Sequence, residues 1–198
     1  MFTIEEMKRS LYGSWRLLTG KADGMAAFDG SVDAFWRSFL AIILVAPFFA
    51  LHAYTELGIT RQSPNFQPDT FSLNHYVVVQ TLLMLTDWVA FPILMVFLAR
   101  LLNVTQQYGR YITAFNWSSV AITLMLSAPL LLYMLGILPQ EIAGFISLAL
   151  LLIALKLRWF LATLALGVGN WTAIGLVVIE FAISLMLTGV ADYFAPTG

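Results

Sequence analysis

The last quarter of the chain, residues 143–190, reads AGFISLALLLIALKLRWFLATLALGVGNWTAIGLVVIEFAISLMLTGV and contains two apolar segments that meet at residues 167–170. Each segment is long enough to cross a membrane as a helix, which takes about 20 apolar residues. Lys156 and Arg158 interrupt the first segment, and Glu180 interrupts the second. A charged side chain at bilayer depth is costly unless it is paired, hydrated or neutralised. The surroundings of these three charges are therefore the main structural question.

Composition indicates that the chain is an integral membrane protein. Of its 198 residues, 60% are hydrophobic and only 11% are charged, whereas a soluble domain carries about 25% charged residues. The net charge of −1 provides no basic field for nucleic acid. The absence of cysteine excludes disulfides and thiolate chemistry. Glu5 and Glu6 make the start of the chain a poor signal peptide.

The hydropathy pattern predicts five transmembrane helices. Three apolar stretches precede the terminal pair, at about residues 38–54, 76–98 and 111–135, and residues 55–74 form a loop. Helices are expected because lipid offers no hydrogen-bond partner to free backbone groups. We therefore expect an all-α polytopic bundle, with a cytoplasmic N-terminal segment over residues 1–36 and a five-helix transmembrane domain over residues 37–194.

The N-terminal segment has helical periodicity of its own. Its apolar residues recur at spacings of three and four: Ile4, Met7, Leu11, Trp15 and Leu18. This pattern predicts an amphipathic helix, which lies either in the membrane interface or against the cytosolic face of the protein. Gly20 is expected to end it. Asp29 or Ser31 is a suitable N-cap for a second short helix that continues into the first span.

The distribution of basic residues predicts the orientation. Nine of the ten Lys and Arg residues fall on one side of a five-span arrangement: Lys8, Arg9, Arg16, Lys21, Arg37, Arg100, Arg110, Lys156 and Arg158. Only Arg61 falls on the other side. Because basic residues are enriched in cytoplasmic segments, the N-terminus is predicted to be cytoplasmic and the C-terminus extracytoplasmic.

The charges in the last two spans suggest an ion pair. The tight turn makes these helices antiparallel neighbours, so Lys156 and Glu180 are predicted to approach each other, with Arg158 nearer the interface. Three interpretations remain open: a structural pair, a protonated Glu180 with basic side chains that reach the headgroups, or a protonatable carboxylate on a transport path.

Asp87 is a second acid at bilayer depth, near the middle of the second span. Its candidate hydrogen-bond companions are Gln80, Asn116, Ser118 and Ser119. Asp87 is interpreted either as a hydrogen-bonded core acid that holds helices together or as part of a polar cavity for an ion or substrate.

Neither a metal site nor a catalytic site is predicted. His52 and His75, with Glu56 and Asp69 nearby, lack the close spacing of metal ligands, and they are interpreted as interfacial polar residues. The phosphate-binding, hydrolase and metalloprotease motifs are missing from the sequence. We therefore expect no cofactor and no enzymatic activity.

Two stretches, GKADGMAAFDGSVDAFWRSFLAIILVAP at residues 20–47 and ALKLRWFLATLALGVGNWTAIGLVVIEF at residues 154–181, together with the five-span topology, resemble the Yip1-domain membrane proteins in their bacterial form. The resemblance implies a bacterial inner membrane protein that acts through helix contacts with partner membrane proteins. The D-L-[WY]-G-P motif of eukaryotic members is absent, and residues 87–92, DWVAFP, only loosely resemble it. A trafficking role is therefore not implied.

Two functional hypotheses follow. A scaffold or accessory subunit, which the resemblance favours, predicts that polar groups in the spans pair internally or with partner chains and leave no continuous cavity. A small proton- or ion-coupled transporter that uses midplane carboxylates predicts a polar cavity that reaches Asp87 or Glu180. In both cases the partners are the lipid bilayer and other membrane proteins or further copies of this chain.

Overall fold

The computed structural model describes residues 3–62, 66 and 71–194, and this part of the chain is helical without any β-strand. Seven α-helices follow in order: α1 Ile4–Leu18, α2 Val32–Ser38, α3 Ile42–Thr60, α4 Leu73–Leu101, α5 Thr105–Met134, α6 Gln140–Leu166 and α7 Asn170–Phe194. Two 3₁₀ segments, Ala22–Ala27 and Phe39–Ala41, complete the helical elements.

Within the described part of the chain, five helical runs are long and apolar enough to cross a membrane, as the sequence predicted. The 3₁₀ segment Phe39–Ala41 joins α2 to α3, so that Val32–Thr60 forms the first run, and α4 to α7 form the others. The predicted domain boundary at residues 36 and 37 falls inside the first run. Thr55–Thr60, predicted as loop, belong to α3, since helices continue into polar residues beyond the apolar stretch.

Helix α5 is the centre of the bundle. It packs against α1, α2, α3, α4 and α6. All eight of its residues from Tyr111 to Ser118 are buried, and Trp117 is the largest fully buried side chain. Helices α6 and α7 form the predicted antiparallel hairpin and turn at Gly167, whose φ of +67° is a left-handed conformation that glycine adopts at little cost.

The N-terminal helix α1 packs against Ala22–Ala27, α5 and α6, so one end of the bundle is covered by residues 4–28. We call this the α1 end. The side that α1 buries consists mostly of small or polar residues: Glu6, Ser10, Gly13, Ser14 and Leu17. Of the predicted apolar stripe, Met7, Leu11 and Leu18 are half-buried and pack against the core, whereas Ile4 is 68% exposed and Trp15 is 59% exposed.

Close backbone contact explains why small residues form the buried side of α1. A Cβ atom added to Gly13 would lie 2.4 Å from the Ala27 Cβ, and one added to Gly24 would lie 2.6 Å from the Gly13 carbonyl oxygen. Arg110 of α5 also donates hydrogen bonds to the carbonyls of Met25 (2.7 Å) and Phe28 (3.2 Å). These contacts attach the 3₁₀ segment, which the sequence did not predict, to the bundle.

The helix termini follow the predicted signals. Gly20, just past the end of α1, has a φ of +77°. The Ser31 hydroxyl accepts a hydrogen bond from the Ala34 amide (3.2 Å) and caps α2, while Asp29 accepts hydrogen bonds from the amide and hydroxyl of Ser31. Glu6 and Arg37 form an ion pair of 3.0 Å between α1 and α2. The N-terminal segment is therefore connected to the first span by charge as well as by packing.

Candidate functional site

A partly open cavity of about 370 Å³ lies between the spans, and all five of them contribute to its wall. Most of the wall is apolar. Its charged and polar side chains are His52 from α3, Asp87 from α4, Ser119 and Thr123 from α5, Arg158 from α6, and Glu180 and Ser184 from α7. The cavity therefore brings together three of the four charged residues that the sequence singled out.

Arg158 and Glu180 form an ion pair across the α6–α7 hairpin. The Arg158 Nε lies 2.9 Å from the Glu180 Oε1, and their side chains are only 11% and 17% exposed. Both residues are about 12–15 Å from the α1 end of their helices, at 1.5 Å of rise per residue. The two charges thus offset each other where the surroundings are apolar.

The Arg158 guanidinium also binds α5. It donates to the Phe115 carbonyl oxygen (3.0 Å) and to the Ser119 hydroxyl (2.7 Å). Its Cζ atom lies 3.7 Å from the centre of the Phe115 ring, a cation–π geometry that is strengthened by desolvation. One planar group therefore connects three spans, which a lysine ammonium does not do with the same fixed geometry.

The predicted pair of Lys156 with Glu180 is wrong. Lys156 is exposed on α6, and Arg158 takes its place. Two residues along a helix are separated by roughly 200° around its axis, so these two basic side chains point to nearly opposite sides. Arg158 lies about 3 Å nearer the α1 end than Lys156, at 1.5 Å of rise per residue, as predicted, but it is Arg158 that faces the interior.

Asp87 lies across the cavity wall on α4, beside α7. Its Oδ1 accepts a hydrogen bond from the Ser184 hydroxyl at 2.7 Å. Ser184 follows Glu180 by four residues, so both side chains lie on one face of α7. The side chain of Asp87 is accessible, and it is about 21 Å from either end of its 29-residue helix. The carboxylate is therefore at mid-depth and borders the open space.

The companions predicted for Asp87 have other neighbours. Asn116 donates to the Ser38 hydroxyl (2.9 Å), Ser119 accepts from Arg158, and Gln80 lies beside the Tyr76 hydroxyl. Ser118 is buried in α5. Ser184 was not among the predicted companions, although its spacing of four residues from Glu180 indicates that both lie on one face of their helix.

Aromatic rings line the cavity on the side of the α1 end. Phe91 and Phe115 stack with centroids 5.0 Å apart, and Tyr111 packs against both. On the other side, the His52 Nε2 lies 3.1 Å from the Ser127 hydroxyl. The wall thus has an apolar floor, a charged middle and a polar contact between α3 and α5 further out.

The two histidines are far from sharing a metal. His52 contacts Ser127, whereas the His75 Nε2 lies 2.6 Å from the Phe194 carbonyl oxygen at the end of α7. Among the described residues, no group of three His, Asp or Glu side chains is arranged to hold a metal ion. Asp69, which the sequence placed near them, lies outside the described residues.

A second, mostly apolar cavity of about 340 Å³ lies in the groove between α3 and α4. Phe49 and Met84 belong to its wall and also to the wall of the charged cavity. We call it the α3–α4 groove. The two spaces are therefore adjacent and share these two side chains.

No protein-family model matches the chain, and no curated protein or solved structure shows significant similarity to it. The resemblance to Yip1-domain proteins thus stays a prediction. The class of protein is defined by the fold alone as a multi-pass helical membrane protein, and its activity has to be inferred from the site.

Proposed function

We propose that this protein is a non-enzymatic membrane carrier that binds a small cation in the charged cavity, with the Asp87 carboxylate as its principal ligand. The observation that carries the proposal is the cavity itself, because it reaches both Asp87 and Glu180. The transporter hypothesis predicted a polar cavity that reaches Asp87 or Glu180, whereas the scaffold hypothesis predicted no continuous cavity. The wall of this cavity is mostly apolar, but it contains both carboxylates.

The charge balance of the wall favours a cation. Arg158 and Glu180 offset each other at 2.9 Å. With the imidazole of His52 counted as neutral, Asp87 leaves the cavity with one negative charge. Electrostatic attraction is stronger among low-dielectric walls than in water. A cation at Asp87 therefore supplies the charge that the wall lacks, and the Ser184 hydroxyl is available beside it as a further oxygen ligand.

We place the protein in a bacterial inner membrane with a cytoplasmic N-terminus. The nine-to-one division of Lys and Arg supports this orientation. The exposed side of α1 supports it as well, since it presents the apolar Ile4 and Trp15 together with Lys8 and Arg9. These residue types suit the headgroup region of an anionic leaflet. In this arrangement the aromatic floor formed by Phe91 and Phe115 faces the cytoplasm.

Uptake of tetramethylammonium into proteoliposomes tests the proposal. This probe is permanently charged and crosses lipid poorly without a carrier. The parent protein should accelerate its uptake, and Asp87→Asn should reduce the rate by at least about tenfold, since the cavity loses the negative charge that attracts the cation. Asp192→Asn is the matched control, because Asp192 is an exposed acid near the end of α7. Equal uptake by the parent and Asp87→Asn, or none by the parent, would overturn the proposal.

A scaffold function is the second candidate, because α7 is unusually open. Only 11% of its most apolar 18-residue window is buried, against 22–33% in the other spans. Its exposed apolar residues include Val178, Phe181, Leu185 and Met186. A partner helix or a second copy of this chain would cover them. Disulfide crosslinking of Val178→Cys protomers in membranes would support this candidate, and their failure to crosslink would count against a homo-oligomer through α7.

A further inference from the structure

We propose that the ligand is an amphipathic organic cation whose charged head binds at Asp87 and whose apolar tail lies in the α3–α4 groove. This inference rests on the proposed function and specifies its substrate class. It follows from the adjacency of two spaces of opposite character, one charged and one apolar, that share Phe49 and Met84.

The groove is formed by small residues on one side of α3. Ala46, Ala50 and Ala53 are spaced by four and three residues, so they lie on one face of the helix. Across the groove, α4 contributes Val77 and Met84. Methyl side chains along a helix face leave room that larger residues would fill, and the space opened here is about 340 Å³.

The two spaces differ in the ligand chemistry that they suit. The charged cavity contains Asp87 with Ser184 and the Arg158–Glu180 pair. Among the described residues, the charged side chains of its wall all belong to α4, α6 and α7, and no charged side chain lines the groove. Ligand sites generally combine an apolar wall with a few polar groups that fix the orientation. A cationic head with an apolar tail matches both halves, whereas a bare inorganic cation leaves the groove unexplained.

The groove also indicates the route of access. Ala50, Val77 and Thr81 line it and are exposed on the outside of the bundle. This face belongs to two membrane-spanning helices, so it lies against lipid. Amphiphiles concentrate in a bilayer because their apolar parts leave water. We infer that the ligand reaches Asp87 laterally, between α3 and α4, with Phe49 and Met84 as the side chains that must move aside.

Photolabelling in lipid nanodiscs tests this inference. The probe is dodecyltrimethylammonium with a diazirine near the end of its tail, and labelled peptides are identified by mass spectrometry. Label should appear on α3 and α4 around Ala50 and Val77, and excess unlabelled dodecyltrimethylammonium should remove it. Dodecanoate, with the same chain length and the opposite charge, should not compete. Asp87→Asn should reduce this label by at least about fivefold, because the head loses its counter-charge.

Two variants test the groove separately from Asp87. Ala50→Trp fills it from α3, and Val77→Trp fills it from α4, so a folding defect in one leaves the other informative. Either change should reduce the label several-fold, whereas Ala149→Trp, at an exposed position of α6, should not. Label spread evenly over lipid-facing helices, or label unaffected by both Asp87→Asn and the groove variants, would overturn the inference.

Uptake and photolabelling together distinguish a failure of this inference from a failure of the proposed function. If tetramethylammonium uptake depends on Asp87 but the groove is not labelled specifically, the carrier function stands and the amphipathic substrate is wrong. If uptake does not depend on Asp87 either, both proposals fail.

Discussion

Two arginine–carboxylate pairs in this protein have nearly the same geometry but differ in how much water reaches the arginine. At the α1 end, Arg37 and Glu6 lie 3.0 Å apart, with side chains that are 34% and 10% exposed. In the charged cavity, Arg158 and Glu180 lie 2.9 Å apart with 11% and 17% exposure. The attraction between two charges is weak where water screens it and strong where it does not. The pair at the α1 end is therefore expected to contribute little to stability, whereas the pair in the charged cavity is expected to contribute much more.

The largest effect is expected for Arg158. Arg158→Met leaves Glu180 unpaired in an apolar environment, which costs about 3–5 kcal/mol. Lys156→Met, two residues away on the exposed side of α6, should change stability little. Thermal unfolding in detergent measures both, and the double variant Arg158→Met with Glu180→Leu should recover much of the loss. A larger cost for Lys156→Met than for Arg158→Met would show that the pairing is assigned to the wrong residue.

The next largest effect concerns the contact between α1 and the 3₁₀ segment Ala22–Ala27. Gly13→Ala introduces a Cβ at 2.4 Å from the Ala27 Cβ, and overpacking of this kind costs about 1–3 kcal/mol. We expect faster amide hydrogen exchange over residues 4–28 without unfolding of the five spans. Gly144→Ala on α6 is the control, because nothing lies within 4 Å of its added Cβ. Unchanged exchange in Gly13→Ala would contradict the close approach.

A smaller effect is expected for the pair at the α1 end. Partly exposed ion pairs contribute about 0.2–1 kcal/mol, so Glu6→Gln should lower stability by no more than this. A double-mutant cycle with Arg37→Met gives the coupling energy directly. A coupling as large as that between Arg158 and Glu180 would remove the contrast between the two regions.

The smallest effect concerns Asp23, which forms an exposed ion pair with Arg16. The hydrogen bond from the Arg16 guanidinium lowers the pKa of the Asp23 carboxyl below its ordinary value. This contribution to stability is therefore fully present above the unfolded pKa of about 3.9 and is lost as the pH falls through the folded pKa. Amide protection over residues 16–24, corrected for the intrinsic pH dependence of exchange, should fall in that acidic range, and Asp23→Asn should abolish this pH dependence.

The sequence was sufficient for the spans but not for the rotation of each helix. Hydropathy located all five runs, and the signals at Gly20 and Ser31 located helix ends correctly. Whether Lys156 or Arg158 faces the interior depends on how α6 is rotated against α5 and α7. Apolar residues surround both positions in this span, so no amphipathic pattern marks the buried face.

The contact surface of α1 also could not be fully predicted from the sequence. The periodicity of the apolar residues predicted a helix, and their stripe was expected to face either lipid or the ends of the spans. The structure adds a second contact surface through Gly13 and Gly24, where two backbones approach each other closely. Such an approach depends on a tertiary partner, the 3₁₀ segment, which has no periodic signal. Asp87 likewise finds Ser184, 97 residues away in the chain, a pairing that composition and spacing do not encode.

The proposed cation-binding function is tested most directly by asking whether water reaches the charged cavity. The chain contains no cysteine, so single-cysteine variants can be labelled without background. Thr123→Cys places a thiol in the cavity wall, and Leu148→Cys places one on an exposed, lipid-facing position of α6. A positively charged, membrane-impermeant methanethiosulfonate reagent should modify the Thr123→Cys variant in membranes, more slowly after Asp87→Asn, and should leave Leu148→Cys unmodified. If the reagent modifies neither thiol, the cavity is not hydrated and does not attract cations, which would contradict the proposed function.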